Sequence, residues 1–159
     1  MSLYTLERSQ LLPHARAEVF PFFASPENLA AITPRWLGFT ILTPTPIEMK
    51  VGTVIDYAIH WLGIPVRWKT LITTYEPGRR FVDEQITGPY ALWHHTHTFE
   101  DAGGGTTMTD RVVYALPFGP LGDLAHSVMV RRQLEEIFDF RAAVLARLLE
   151  ERLGRGTAR

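Results

Sequence analysis

Residues Leu124–Leu153 read LAHSVMVRRQLEEIFDFRAAVLARLLEERL and contain neither proline nor glycine. Apolar side chains recur at Leu134, Ile137, Phe138, Val144, Leu145, Leu148 and Leu149, the spacing of a helix with one apolar stripe. Arg131, Arg132, Glu135, Glu136, Asp139, Arg147, Glu150 and Glu151 fill the other face. At 1.5 Å per residue the helix runs roughly 40 Å. That is too long to pack on one strand, so it must lie across a whole sheet.

The chain upstream supplies that sheet. Tyr4–Leu12 alternates apolar and polar residues and ends at Pro13, as a strand does. Arg16–Ala24 carries Val19, Phe20, Phe22 and Phe23 and reads as a short helix; a second starts at Pro26, with Ser25 as its N-cap, and stops at Thr33-Pro34. From Phe39 to Tyr114 strands dominate. Val51–Trp61 and Val66–Tyr75 flank the turn Leu62-Gly63-Ile64-Pro65, Arg80–Thr87 and Leu92–Glu100 flank Gly88-Pro89-Tyr90, and Thr106–Leu116 follows Asp101–Gly105. The expectation is an α+β helix-grip architecture: a curved antiparallel sheet of six to seven strands around one long C-terminal helix, with two short helices after the first strand. One helix cannot fill the concavity of so long a sheet, so a cavity is expected between them.

Composition narrows the function classes. A chain of 159 residues with 46% hydrophobic and 21% charged residues supports one folded domain, expected at 1–153 with a frayed tail at 154–159. No cysteine occurs, which excludes disulfides and thiolate chemistry. Sixteen Lys+Arg against seventeen Asp+Glu give no field to hold nucleic acid. No apolar run is long enough for stable membrane insertion, and the N-terminus lacks a signal-peptide pattern. A cytoplasmic protein is expected.

The strand faces locate the cavity wall. If Gly103-Gly104 is a two-residue turn, Phe99 opposes Met108, His97 opposes Asp110, His95 opposes Val112 and Trp93 opposes Tyr114, all on one face. Tyr57, Ile59 and Trp61 share a face of their strand, as do Trp68, Thr70 and Ile72, and Phe81, Asp83 and Gln85. Aromatic walls with a few polar groups suit a small-molecule pocket, and equally an ordinary core. The candidate ligand-binding residues are Trp61, Trp68, Phe81, Asp83, Gln85, Trp93, His95, His97, Tyr114, Leu134, Phe138 and Arg141.

Several stretches together resemble the START/Bet v 1-like superfamily, also called SRPBCC. They are Pro26-Glu27-Asn28-Leu29 with Ile32-Thr33-Pro34, Phe81–Gln85 with Gly88-Pro89-Tyr90, Trp93–Phe99, Asp110–Tyr114, and Leu116–Gly122. The superfamily includes lipid-transfer domains, plant ligand binders, and polyketide cyclases and dehydratases. The chain looks most like a bacterial ligand-binding branch of it, and similar domains occur beside sugar-nucleotide epimerase-like domains. The resemblance implies the helix-grip fold and a cavity; it transfers no catalytic motif and names no ligand.

Three readings of His95-x-His97 with Asp110 stand side by side. The trio is a buried structural network, or His97 and Asp110 are a catalytic acid–base pair, or the histidines and a carboxylate bind a metal. The third lacks a clear third ligand beyond Asp110 or Asp83, and no metal or cofactor is assigned. Arg141 interrupts the apolar stripe between Phe138 and Leu145; it binds an anionic ligand group, pairs with Asp83 or Asp110, or snorkels. Gly119-Pro120-Leu121-Gly122 reads as a lid, hinge or plain connector.

The expected function is binding, transport or sequestration of a small hydrophobic or amphipathic ligand. The alternative is a cofactor-independent cyclase/dehydratase-like lyase or isomerase using His97 and Asp110. A third class acts through protein partners on Leu121–Val130, and homodimerisation stays open.

Overall fold

The structure is a computed structural model, described for residues 1–61 and 63–154. Strand β1 (Tyr4–Leu12) leads into helix α1 (Arg16–Phe23) and two 3-10 turns, Pro26–Ile32 and Arg35–Leu37. Then come β2 (Thr40–Ile41), β3 (Val54–Trp61), β4 (Ile64–Glu76), β5 (Arg80–Thr87), β6 (Leu92–Ala102) and β7 (Gly105–Ala115). Helix α2 (Gly119–Ala125) continues through a π-turn (His126–Val130) into α3 (Arg131–Leu153).

The seven strands form one antiparallel sheet in the order β1-β7-β6-β5-β4-β3-β2. The first strand pairs along its whole length with the last, Tyr4 against Tyr114 through Leu12 against Thr106. The β6–β7 hairpin has the register read from the sequence, with Trp93, His95, His97 and Phe99 opposite Tyr114, Val112, Asp110 and Met108. Gly103 and Gly104 set it: their φ angles of 57° and 84° form a two-residue turn whose twist suits a hairpin. Strand β4 departs from regular pairing with β5 at Lys69/Thr70 and Ile72/Thr74. Such bulges increase local twist and bend the sheet.

Several local expectations are corrected. Strands β3 and β4 pair up to Trp61 and Ile64, so Ile64 and Pro65 belong to the strand and not to the turn; Leu62 lies outside the described residues. The second short helix is a 3-10 helix, and Ser25, at its N-cap, makes no side-chain cap bond. Of the expected tail, 155–159 lies outside the described residues. The long helix starts at Gly119, not near Leu124, so Gly119–Gly122 is its first turn. Pro120 fits there because the first helical amides have no acceptor. Gly122 is required by close approach: a Cβ would lie 2.0 Å from the Pro117 carbonyl oxygen. The π-turn inserts one extra residue, with the Arg131 amide bonding to the His126 carbonyl. The 3.6-residue period of the sequence carries no sign of it. The apolar surface expected on Leu121–Val130 is present, with Leu121, Leu124 and Val128 exposed.

Two apolar clusters pack between sheet and helix. One gathers Leu12, Phe20, Phe81, Phe99, Met108, Val144 and Leu145. The other gathers Trp68, Tyr90, Trp93, Val112, Leu134 and Phe138. On every element that contributes to both, polar residues mark the boundary. His95 and His97 lie between Trp93 and Phe99 on β6. Asp110 lies between Met108 and Val112 on β7, and Arg141 between Phe138 and Val144 on α3.

Candidate functional site

A cavity of about 140 Å³ lies between the sheet and α3. Its sheet wall includes Ile55, Tyr57, Ile59 and Trp61 of β3, Trp68, Thr70 and Ile72 of β4, Phe81 and Asp83 of β5, and Trp93, His95 and His97 of β6. Helix α3 contributes Gln133, Leu134, Ile137, Phe138 and Arg141. The segment from Phe22 to Met49 supplies a further wall through Phe22, Leu29, Ile32, Leu37 and Phe39. Ten of the twelve sequence-derived ligand residues line it.

Gln85 and Tyr114 do not, and both have structural duties. The Gln85 amide donates to the Tyr90 carbonyl (2.8 Å) and accepts from the Tyr90 amide (3.1 Å). It thereby holds Tyr90 against Trp93, with ring centroids 4.8 Å apart. Tyr114 bonds to His126 Nε2 at 2.7 Å. Burial pushes the Tyr114 phenol up to about 12, so it stays protonated in that bond. Sequence reasoning missed Tyr90 and the 22–49 wall. Tyr90 lies in a turn, and the 22–49 wall in short helices and irregular chain, too brief for periodicity to mark an inward face.

At the cavity wall, His95, His97, Asp83, Asp110 and Arg141 form one buried cluster. The imidazoles stack with centroids 3.7 Å apart. The expected His97–Asp110 hydrogen bond is replaced by a crossed arrangement. His95 Nε2 bonds Asp110 Oδ1 at 2.8 Å, and His97 Nε2 bonds Asp83 Oδ2 at 2.7 Å. His97 Nδ1 stands 3.1 Å from Asp110 Oδ1 but lacks hydrogen-bond alignment. The register explains it. His97 is level with Asp110, and His95 with Asp83. Diagonal neighbours across strands are still within reach of a long side chain, and each ring bonds the diagonal carboxylate.

The cluster splits the two histidines electrostatically. Burial, then the charge on His97, lowers the His95 pKa below its ordinary value. Burial also opposes charge on His97, but the Asp110 and Asp83 carboxylates outweigh it and raise its pKa. Burial of Asp83 is outweighed by His95, His97 and Arg141, so its pKa is lowered. Asp110 is lowered too, its two histidine partners overcoming burial. Tyr57 and Tyr90, on the same wall, are held protonated by burial.

Arg141 is the cation of the site. Its side chain is 11% exposed, with one terminal nitrogen 3.9 Å from Asp110 Oδ1. Its guanidinium carbon sits 4.8 Å from the Phe138 ring centroid. Its Nε has no hydrogen-bond partner.

Residues 12–140 match the family described as polyketide cyclase / dehydrase and lipid transport. The chain belongs to this family. Solved structures agree on the fold. The Zhui aromatase/cyclase from Streptomyces sp. R1128 superposes with a TM-score of 0.77 at 14% identity, covering 96% of each chain. A START superfamily protein from Mycobacterium smegmatis gives 0.65 at 11% identity, covering 92% of this chain and 97% of that one. A nucleoside-diphosphate sugar epimerase from Corynebacterium glutamicum gives 0.63 at 22% identity, covering 91% of this chain but 29% of the epimerase chain. No curated protein is significantly similar in sequence. The family and these neighbours agree with the START/Bet v 1-like, helix-grip resemblance. Among the described residues no helix is long and apolar enough to cross a membrane.

Proposed function

We propose that the protein binds one small, mainly apolar molecule with an anionic or hydrogen-bond-accepting end in the cavity between sheet and α3. The observation that carries this reading is Arg141: a largely buried guanidinium on the cavity wall, ion-paired with Asp110 at 3.9 Å but making no hydrogen bond, its Nε unpartnered. A buried charged group with unmade hydrogen bonds is costly, and a guest acceptor supplies one. Aromatic walls of Trp61, Trp68, Trp93 and Phe138 would hold the apolar body. An apolar cavity of about 150 Å³ is large enough to admit benzene. The guest is therefore of single-ring scale unless the helix moves outward.

Native mass spectrometry of untagged protein purified from its own host tests this. A one-to-one adduct that disappears on denaturation is expected. Bare protein, with no saturable binding of any small aromatic acid tried, would count against it.

A second reading is acid–base turnover of the guest. The His97 Nε2–Asp83 pair on the cavity wall favours it, as does a fold shared with an aromatase/cyclase. The pair would be His97 with Asp83, in place of Asp110. His97→Gln separates the two: guest binding persists under the first reading, and turnover of a bound guest stops under the second.

A further inference from the structure

The two histidines of the cluster present their nitrogens in opposite directions. One nitrogen of each ring is turned to Asp110: His95 Nε2 at 2.8 Å and His97 Nδ1 at 3.1 Å from the same oxygen. The remaining nitrogens face Asp83 Oδ2, His97 Nε2 at 2.7 Å and His95 Nδ1 at 3.7 Å. These three donor atoms lie within 4.8 Å of one another. Asp83, His95 and His97 line the cavity, and Asp110 stands behind them.

A histidine that ligates a metal directs one nitrogen at the ion and gives the other to a carboxylate behind it, which fixes its orientation. Asp110 stands in that place for both rings. We propose that Asp83 Oδ2, His95 Nδ1 and His97 Nε2 form a binding site for a divalent transition-metal ion, oriented from behind by Asp110. Ligands about 2.1 Å from one ion stand roughly 3.0–3.4 Å apart. The two carboxylate–nitrogen separations, 2.7 and 3.7 Å, bracket that range and the three residues' donor atoms lie within 4.8 Å of one another, so side-chain movement closes the site around an ion.

Two imidazoles with one carboxylate suit iron(II) or zinc, and not the oxygen-only preference of magnesium or calcium. The three donors come from one wall, so the coordination positions facing the cavity stay open to water or to the acceptor end of a guest. On binding, the ion takes the place of the proton shared between His97 and Asp83. The inference uses the cavity of the proposed function but not its guest.

The test uses untagged full-length protein stripped with a chelator and titrated with cobalt(II), without any guest. One equivalent is expected to bind, with a visible ligand-field band, a raised melting temperature and displacement by zinc. Asp83→Asn and His97→Gln should each weaken cobalt binding at least 100-fold. Asp110→Asn should weaken it about 10–100-fold. His94→Gln, on the opposite strand face, should change nothing. If a buried variant fails to fold by circular dichroism, the wild-type titration decides. Absence of saturable one-equivalent binding overturns the site, as does undiminished binding in a folded Asp83→Asn or His97→Gln protein. Loss of binding in His94→Gln overturns it as well. Guest binding by a protein that takes no metal would leave the proposed function standing and remove this site alone.

Discussion

Substituting Thr70 by valine and then by isoleucine should stabilise the protein at both steps. Thr70 lies on the inward face of β4, is 4% exposed and lines the cavity. Its buried hydroxyl oxygen makes no hydrogen bond. An unpaired buried hydroxyl costs about 1–3 kcal/mol, so Thr70→Val should gain about 1 kcal/mol or more. The second step adds one methylene. In a filled interior, overpacking costs about 1–3 kcal/mol. Beside about 140 Å³ of free space, burying a methylene should instead gain about 0.8 kcal/mol. The sign of the valine-to-isoleucine step therefore reports whether the space exists. Urea denaturation reads it: with m of about 2 kcal/mol/M, the midpoint should rise by roughly 0.4 M at unchanged m. A midpoint that falls on adding the methylene would refute the reasoning.

Further outcomes follow from other contacts. Arg141→Met should weaken benzoate binding at least tenfold by calorimetry and leave toluene binding unchanged, because hydrogen bonds to charged groups contribute about 1.5–3 kcal/mol. Asp110→Asn leaves two buried histidines without their shared carboxylate, so a loss of about 3–5 kcal/mol is expected in the same urea assay. Burial, then Arg131, lowers the pKa of His126. The unfolded chain therefore takes up that proton first, and stability falls as pH drops from about 7 through the unfolded value near 6.5. His126→Phe should flatten the stability profile between pH 7 and 5; an unchanged slope would contradict this. Gly104→Ala, at a φ of 84°, should cost about 1–2 kcal/mol without altering guest affinity.

Much of the fold was readable because its signals are local. Alternation on β1, the Gly103-Gly104 turn and the helical stripe of α3 each follow from residues near one another in sequence. The β6–β7 face sorting placed His95, His97 and Asp110 together before any coordinates. What could not be read depends on distant pairing. The turn at Gly88-Pro89-Tyr90 puts β5 beside β6 but does not fix their register, and the diagonal hydrogen bond from His97 to Asp83 depends on side-chain reach that register alone does not specify. The π-turn at His126–Val130 leaves no compositional mark. Gly119 and Gly122 argued against a helix, yet Gly122 is there because nothing larger clears the Pro117 carbonyl. Gln85 and Tyr114 sat on faces read as inward. Gln85 instead braces the Tyr90 loop, and Tyr114 bonds to His126, contacts made with segments whose positions periodicity does not give.

Xenon-pressurised crystals of the wild-type protein address the cavity most directly, since xenon enters dry apolar space without needing a matched ligand. Electron density for xenon or a retained organic guest is expected between Trp68, Trp93 and Phe138. Side chains closing that volume, with neither xenon nor guest between sheet and helix, would contradict the account.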